Sequence, residues 1–128
     1  MLANDLTLNP GSYGGVSANK IFNLAGYPTP TSSIRRVQAT ALTTPETVLI
    51  SHQNVQRGGL TVDRHLVRHD VTLNDPLKGA VKASAWVTIE VPRGTTVFTN
   101  AVIKDMFGRL PSALLASGVM DAFLAGES

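Results

Sequence analysis

The chain has 128 residues, 43% of them hydrophobic, with 11 lysines and arginines against 9 acids and no cysteine. That length supports one domain, residues 1–128, and the missing cysteines exclude disulfide staples, thiolate zinc centres and a cysteine nucleophile. No apolar run approaches the roughly 18 residues of a membrane-spanning helix, and the opening MLANDLTLNPGSYGG has neither the basic start nor the apolar stretch of a signal peptide, so a soluble chain without membrane partners is expected.

In chain order, LTLNPGSYGG reads as a short strand entering a turn, because Asn9-Pro10-Gly11 couples a fixed φ to a permissive residue. Ile21, Phe22 and Leu24 suggest a second short strand closed by Gly26, Pro28 and Pro30, so residues 1–30 form an N-terminal hairpin and loop. Four longer runs rich in β-branched residues follow over 33–91: Ser33 to Leu42, Glu46 to Gln56, Leu60 to Leu73 and Val81 to Val91. Their connectors are too short for parallel crossovers, which predicts an antiparallel meander.

After Gly94 the apolar period lengthens. Thr96 or Thr99 can cap a helix whose Val102, Ile103, Met106, Phe107 and Leu110 recur at steps of three and four. Pro111 stops or bends that helix, and a second stripe follows with Leu114, Leu115, Val119, Met120, Phe123 and Leu124, ending at Gly126. Gly118 inside this stripe either breaks it or permits close packing. The fold class is therefore α+β: a short hairpin and an antiparallel sheet first, a helical segment over 96–125 last.

Charge is distributed unevenly. Residues 1–19 carry only Asp5, residues 20–93 carry nine bases against five acids, and residues 94–128 carry two bases against three acids. Such a middle segment suits one basic surface, although ordinary solvated sheets share the pattern.

Alternation of period two assigns strand faces. In the fourth run Ala83, Ala85, Val87, Ile89 and Val91 point one way, while Lys82, Ser84, Trp86, Thr88 and Glu90 point the other. Trp86 on this polar side either packs across strands or offers a stacking surface for a base. In the third run, Arg64, Leu66, Arg68, Asp70 and Thr72 share one side, and His65, Val67, His69, Val71 and Leu73 the other. Arg64 and Arg68 thus project together, roughly 13 Å apart by strand rise, a spacing that suits separate phosphates. The adjacent Arg35 and Arg36 must face opposite ways, Arg36 with Gln38 and Thr40 if the strand is regular.

The same parity argues against a metal centre. His65 and His69 lie about 13 Å apart on a strand, and only His52 remains, whereas a zinc centre needs three or four convergent ligands. Asp70 faces away from His69, so it cannot orient that imidazole in a triad. No nucleophile elbow, paired carboxylates or phosphate-cradling glycine loop is present, so neither catalytic residues, nor metal ligands, nor cofactors are expected.

The order of these parts, with AWVTIEVPRGTTVFTNAVIKDMFGRLPSALLASG from Ala85 to Gly118 as the local match, resembles the coat proteins of single-stranded RNA bacteriophages, the levivirus type. The stretch VRHDV and the total length are also similar. The resemblance implies an interlocked homodimer whose chains set their sheets edge to edge, with the helices of each crossing the other's sheet. It further implies an icosahedral shell around single-stranded RNA, in a virion assembled in the bacterial cytoplasm, and an operator hairpin whose binding represses replicase translation. Carried onto this chain, it places Arg64, Arg68, Lys82, Ser84, Trp86, Thr88 and Glu90 on the RNA side. Val102, Ile103, Met106, Phe107, Leu110, Leu114, Leu115, Val119 and Phe123 fall at the dimer interface. Ser84 and Trp86 stand where relatives present tyrosine or asparagine to bases, and the connector Asn74 to Gly79 takes the place of a loop used around symmetry axes. The competing functions are a small cellular RNA-binding sheet protein and a structural assembly protein with no nucleic-acid role.

Overall fold

The computed structural model describes residues 2–10, 18–38 and 40–126. It divides into a sheet unit, Met1–Leu8 with Asn19–Arg93, and a helical unit, Asn9–Ala18 with Gly94–Ser128.

The sheet is a six-stranded antiparallel meander in chain order: β1 (Leu6–Leu8), β2 (Lys20–Gly26), β3 (Ser32–Arg36), β4 (Glu46–Arg57), β5 (Leu60–Asp75) and β6 (Gly79–Pro92). The N-terminal hairpin forms through Leu6 opposite Phe22 and Leu8 opposite Lys20, while the turn expected at Asn9-Pro10-Gly11 runs into residues outside those described. β2 also pairs with β3, with a register shift between Leu24 and Gly26, so the hairpin continues the main sheet.

Two tight turns fix the long strands. Gly58 and Gly59 both hold positive φ, 56° and 79°, as a two-residue hairpin whose twist matches its strands requires. Arg57 therefore opposes Leu60, and every pair back to Glu46 opposite Val71 follows. At the far end the Asp75 carboxylate accepts the backbone N–H of Leu77 at 2.8 Å and of Lys78 at 2.9 Å, closing a turn before β6. The connector expected from Asn74 to Gly79 thus shrinks to Pro76, Leu77 and Lys78, because Asn74, Asp75 and Gly79 are already paired across β5 and β6.

The first long run is shorter than its sequence suggests: β3 stops at Arg36 instead of continuing to Leu42. Beyond it the Thr40 hydroxyl donates to the Val37 carbonyl at 2.7 Å and Arg36 donates to the Thr40 carbonyl at 2.6 Å. These local bonds curl the chain, and Leu42 is left exposed. A β-rich composition says nothing about such side-chain competition for the backbone.

The buried apolar cluster is small: Phe22, Val48 and Ile50, with Leu6 and Val37 packed against it. It lies on the sheet face that also carries His69, whose ring meets Phe22 edge-on at 5.7 Å. Arg35, only 3% exposed, belongs to this face and ties down the N-terminal segment by donating to the carbonyls of Ala3 at 2.8 Å and Asn4 at 3.1 Å.

In the helical unit, α1 spans Asn100–Leu115 and α2 spans Val119–Leu124. Thr99 is the cap, its hydroxyl accepting from Val102 N–H at 3.4 Å. Pro111 does not stop the helix, which runs on to Leu115. The break comes at Ala116–Gly118: Ala116 leaves the helical conformation with ψ 143°, and Gly118, whose φ of 78° an L side chain resists, caps the start of α2. Leu114 and Leu115 therefore finish α1, and Val119 and Phe123 occupy α2. Neither helix buries a single residue within the isolated chain.

Candidate nucleic-acid interface

The register of β5 and β6 brings the expected polar set onto one surface. Arg64 faces Glu90, Leu66 faces Thr88, Arg68 faces Trp86, Asp70 faces Ser84 and Thr72 faces Lys82. On the other side of β5, Gln53, Ser51, Leu49 and Thr47 of β4 oppose Arg64, Leu66, Arg68 and Asp70, and Arg36 of β3 opposes Thr47. One platform thus carries Arg36, Arg57, Arg64, Arg68 and Lys82 against the carboxylates of Asp70 and Glu90. This excess of cations gives it a positive field.

Its centre is a shallow depression of 290 Å³ lined by Arg64, Leu66, Arg68, Ser84, Trp86 and Thr88. Trp86 is 63% exposed, so its indole is available as a flat stacking surface rather than being consumed by cross-strand packing. The two hydroxyls and the two guanidinium groups surround it.

The arginines are not idle in the isolated chain. Arg68 Nε donates to Asp70 at 2.9 Å, Arg64 lies 3.6 Å from Glu90, and Arg57 bonds the same Glu90. Asp70 also accepts the Ser84 hydroxyl at 2.5 Å. The side chains of Arg64 and Arg68 remain 42% and 41% exposed, so these pairs orient the guanidinium groups without sequestering them. Partly exposed pairs of this kind contribute little stability, at most about 1 kcal/mol each. Asp63 takes no part, since it lies on the opposite face and binds Arg93 at 2.7 Å.

Two buried carboxylates brace the sheet from opposite faces. Burial pushes the Asp70 carboxyl up, but the Ser84 hydroxyl, Arg68 and Lys82 outweigh it and hold the group below its ordinary 3.8. Glu46, on the Phe22 side, is likewise pushed up by burial yet held below its ordinary 4.5 by hydrogen bonds and charge from Lys20 and His69. Those bonds measure 2.7 Å from Lys20 and 3.0 Å from His69. Both groups are depressed in the folded state, so their contribution is fully present above the ordinary values and is lost as pH falls through the depressed ones. The urea midpoint is expected to drop with acidification below about pH 4.5, and to drop less steeply in an E46Q/D70N variant that has already lost both contributions. Identical acid limbs in the two proteins would contradict this assignment.

Sequence parity separated the histidines from the arginines correctly but missed their partners. His69 pairs with Glu46, a residue 23 positions away, and among the described residues no hydroxyl bonds its ring. His65 meets His52 across the β4–β5 hairpin, their Nδ1 atoms 2.8 Å apart. Counting outward from Gly58-Gly59 would have found the His52–His65 pair, whereas no local pattern links Lys20 to Glu46.

No protein-family model matches the sequence, and no curated protein matches it. Solved structures do. The chain superposes on the virus-like particle of bacteriophage ESE058 with a TM-score of 0.69 at 15% identity, covering 95% of this chain and 94% of that one. For the virus-like particle of Wenzhou levi-like virus 4 the TM-score is 0.68 at 19% identity, covering 90% and 82%. For that of bacteriophage AVE019 it is 0.67 at 16% identity, covering 98% and 97%. The chain has the levi-like coat protein fold. The coat fold accounts for the element order, the meander and the two C-terminal helices together, and at these identities the shared property is the fold.

Proposed function

We propose that this chain is a capsid protein that dimerises, closes a shell and encloses single-stranded RNA against its platform. The observation that carries the reading is the correspondence with virus-like particles over nearly the full length of both chains. Three features of the chain support it.

First, β6 is a 14-residue strand at the sheet edge, with no neighbouring strand on its outer side among the described residues. Long open edges invite pairing, and a two-fold β6–β6 junction would join two sheets into one platform. Second, the face opposite the arginines presents Val67, Leu73, Val81, Ala83 and Ala85, all exposed, while Val102, Met106, Phe107, Leu110, Leu115, Val119 and Phe123 of the helices are exposed as well. Two apolar surfaces of this extent on one small chain match the cover that a partner's helices provide. Third, the opposite face is polar and cationic, which suits a phosphate backbone.

Within this reading Arg64, Arg68 and Lys82 contact phosphates, Trp86 stacks on bases, and Ser84, Thr88 and Glu90 complete the surface. Val102, Ile103, Met106, Phe107, Leu110, Leu114, Leu115, Val119 and Phe123 form the seam. Operator binding, with repression of replicase translation, would use the same platform, and the turn carrying the fully exposed Leu77 is placed to meet neighbouring dimers.

Expressing the chain alone in bacteria tests the proposal. Closed particles in negative stain, with an absorbance ratio at 260 and 280 nm characteristic of nucleic acid and lost after disassembly and nuclease treatment, are expected. RNA-free particles would leave an assembly protein without the RNA role, and RNA-bound protein that never forms particles would favour the small RNA-binding sheet.

A further inference from the structure

On the face away from the arginines, the cross-strand pair His52 and His65 is held with ring centroids 5.0 Å apart and planes inclined at 70°. The type of turn at Gly58-Gly59 fixes these two positions directly opposite each other, so the convergence is a property of the backbone rather than of chance rotamers. Both residues are exposed, and they open onto a surface depression of 430 Å³ that Thr31, Gln53 and Asn54 also line.

We propose that His52 and His65 form a two-ligand site for a late first-row divalent cation, Cu²⁺ in first place and Ni²⁺ next, with water completing the coordination. Two imidazole nitrogens bound at about 2.05 Å and at right angles to each other stand about 2.9 Å apart, whereas a tetrahedral centre separates them by about 3.3 Å. The observed Nδ1 separation of 2.8 Å matches the right-angled arrangement of a square-planar or octahedral ion. In the free protein one Nδ1–H donates to the other Nδ1. Binding moves that proton to Nε2 of the same ring, and a modest rotation of two exposed side chains turns both lone pairs toward one point. No proton need be released by the neutral pair, and the side-chain ligands number two, since groups of three or more His, Cys, Asp or Glu able to hold an ion are absent among the described residues. The site is accordingly exchangeable rather than structural. Imidazole ligation and the order of divalent affinities put copper ahead of nickel and zinc. The pair supplies both side-chain ligands from one hairpin, but it shares its sheet face with Val67, which the capsid reading sets under a partner's helices, so the proposal requires this part of the hairpin to stay open to ions in the assembly.

The test is titration of metal-stripped, purified protein in its native assembly with Cu²⁺ in a non-coordinating neutral buffer. Affinity is read by calorimetry and nitrogen count by electron paramagnetic resonance. One saturable site per chain with two equatorial nitrogens is expected. In H52A or H65A that site should weaken at least about tenfold and fall to one nitrogen, because the second ligand acts at high effective concentration. His69→Ala, removed from the pair, should keep both nitrogens. The absence of a saturable site in the wild type, or an unchanged affinity and nitrogen count in both H52A and H65A, would overturn the proposal.

Discussion

Phe107→Ala is expected to cost about 3 to 5 kcal/mol per subunit and to convert assembled protein into dissociated or unfolded chain. In the isolated chain the ring is 37% exposed, and α1 as a whole buries nothing, so the substitution would be mild if the helix stayed in water. The large effect arises only if Phe107 is covered by a second copy. Truncation then leaves a cavity, and two-fold symmetry applies the loss twice in every dimer. Arg109→Ala, two residues along and on the other side of α1, should stay within about 0.5 kcal/mol. Urea denaturation of both variants checks this, and a Phe107→Ala midpoint equal to that of Arg109→Ala would remove Phe107 from the seam.

Removing Arg64 and Arg68 together is the second large effect. Each phosphate contact contributes about 0.7 to the slope of log affinity against log salt for a single strand, so the double variant should flatten the slope by about 1.4. At 0.1 M salt this corresponds to roughly 25-fold weaker binding, with little dependence on base sequence. Folding should survive, since both side chains are more than two-fifths exposed and their pairs with Glu90 and Asp70 are worth little. Filter binding of RNA by soluble dimers across a salt series decides the matter. An unchanged slope and affinity in the double variant would mean that Glu90 and Asp70 hold these arginines as a surface network with no phosphate role.

Much of the platform was legible because strand parity is a strict rule. Once Leu60 to Leu73 and Val81 to Val91 are strands, Arg64 and Arg68 must share a side, and so must Lys82, Ser84, Trp86, Thr88 and Glu90. The meander joins the two sets, since a short connector between consecutive long strands allows only antiparallel neighbours. Contacts that depend on register or on distant chain segments were not legible in the same way. Glu46 lies at the start of β4 and meets Lys20 from β2 as well as His69 from β5, an encounter set by packing around Phe22 rather than by any periodicity. The end of β3 was misjudged because Thr40 and Arg36 offer the backbone local partners. A stop at Pro111 does not occur, because a proline costs a helix one hydrogen bond without forbidding its continuation, whereas the break weighed at Gly118 falls over Ala116–Gly118, between the C-cap of α1 and the N-cap of α2.

Under the proposed function, the distribution of apolar surface is what drives assembly. Only Phe22, Val48, Ile50 and Val62 are buried apolar residues among those described, a small core for a chain of this length, while one sheet face and both helices expose apolar side chains. At about 25 cal/mol per Å² of apolar surface, covering these faces would stabilise the assembled chain. A folded monomer is therefore the state the account forbids. Sedimentation of the purified chain at micromolar concentration under conditions that release shells tests this directly. The account predicts a species of twice the 13.6 kDa chain mass, with monomer appearing only as the protein unfolds. A stable, fully folded species of a single chain mass would contradict it.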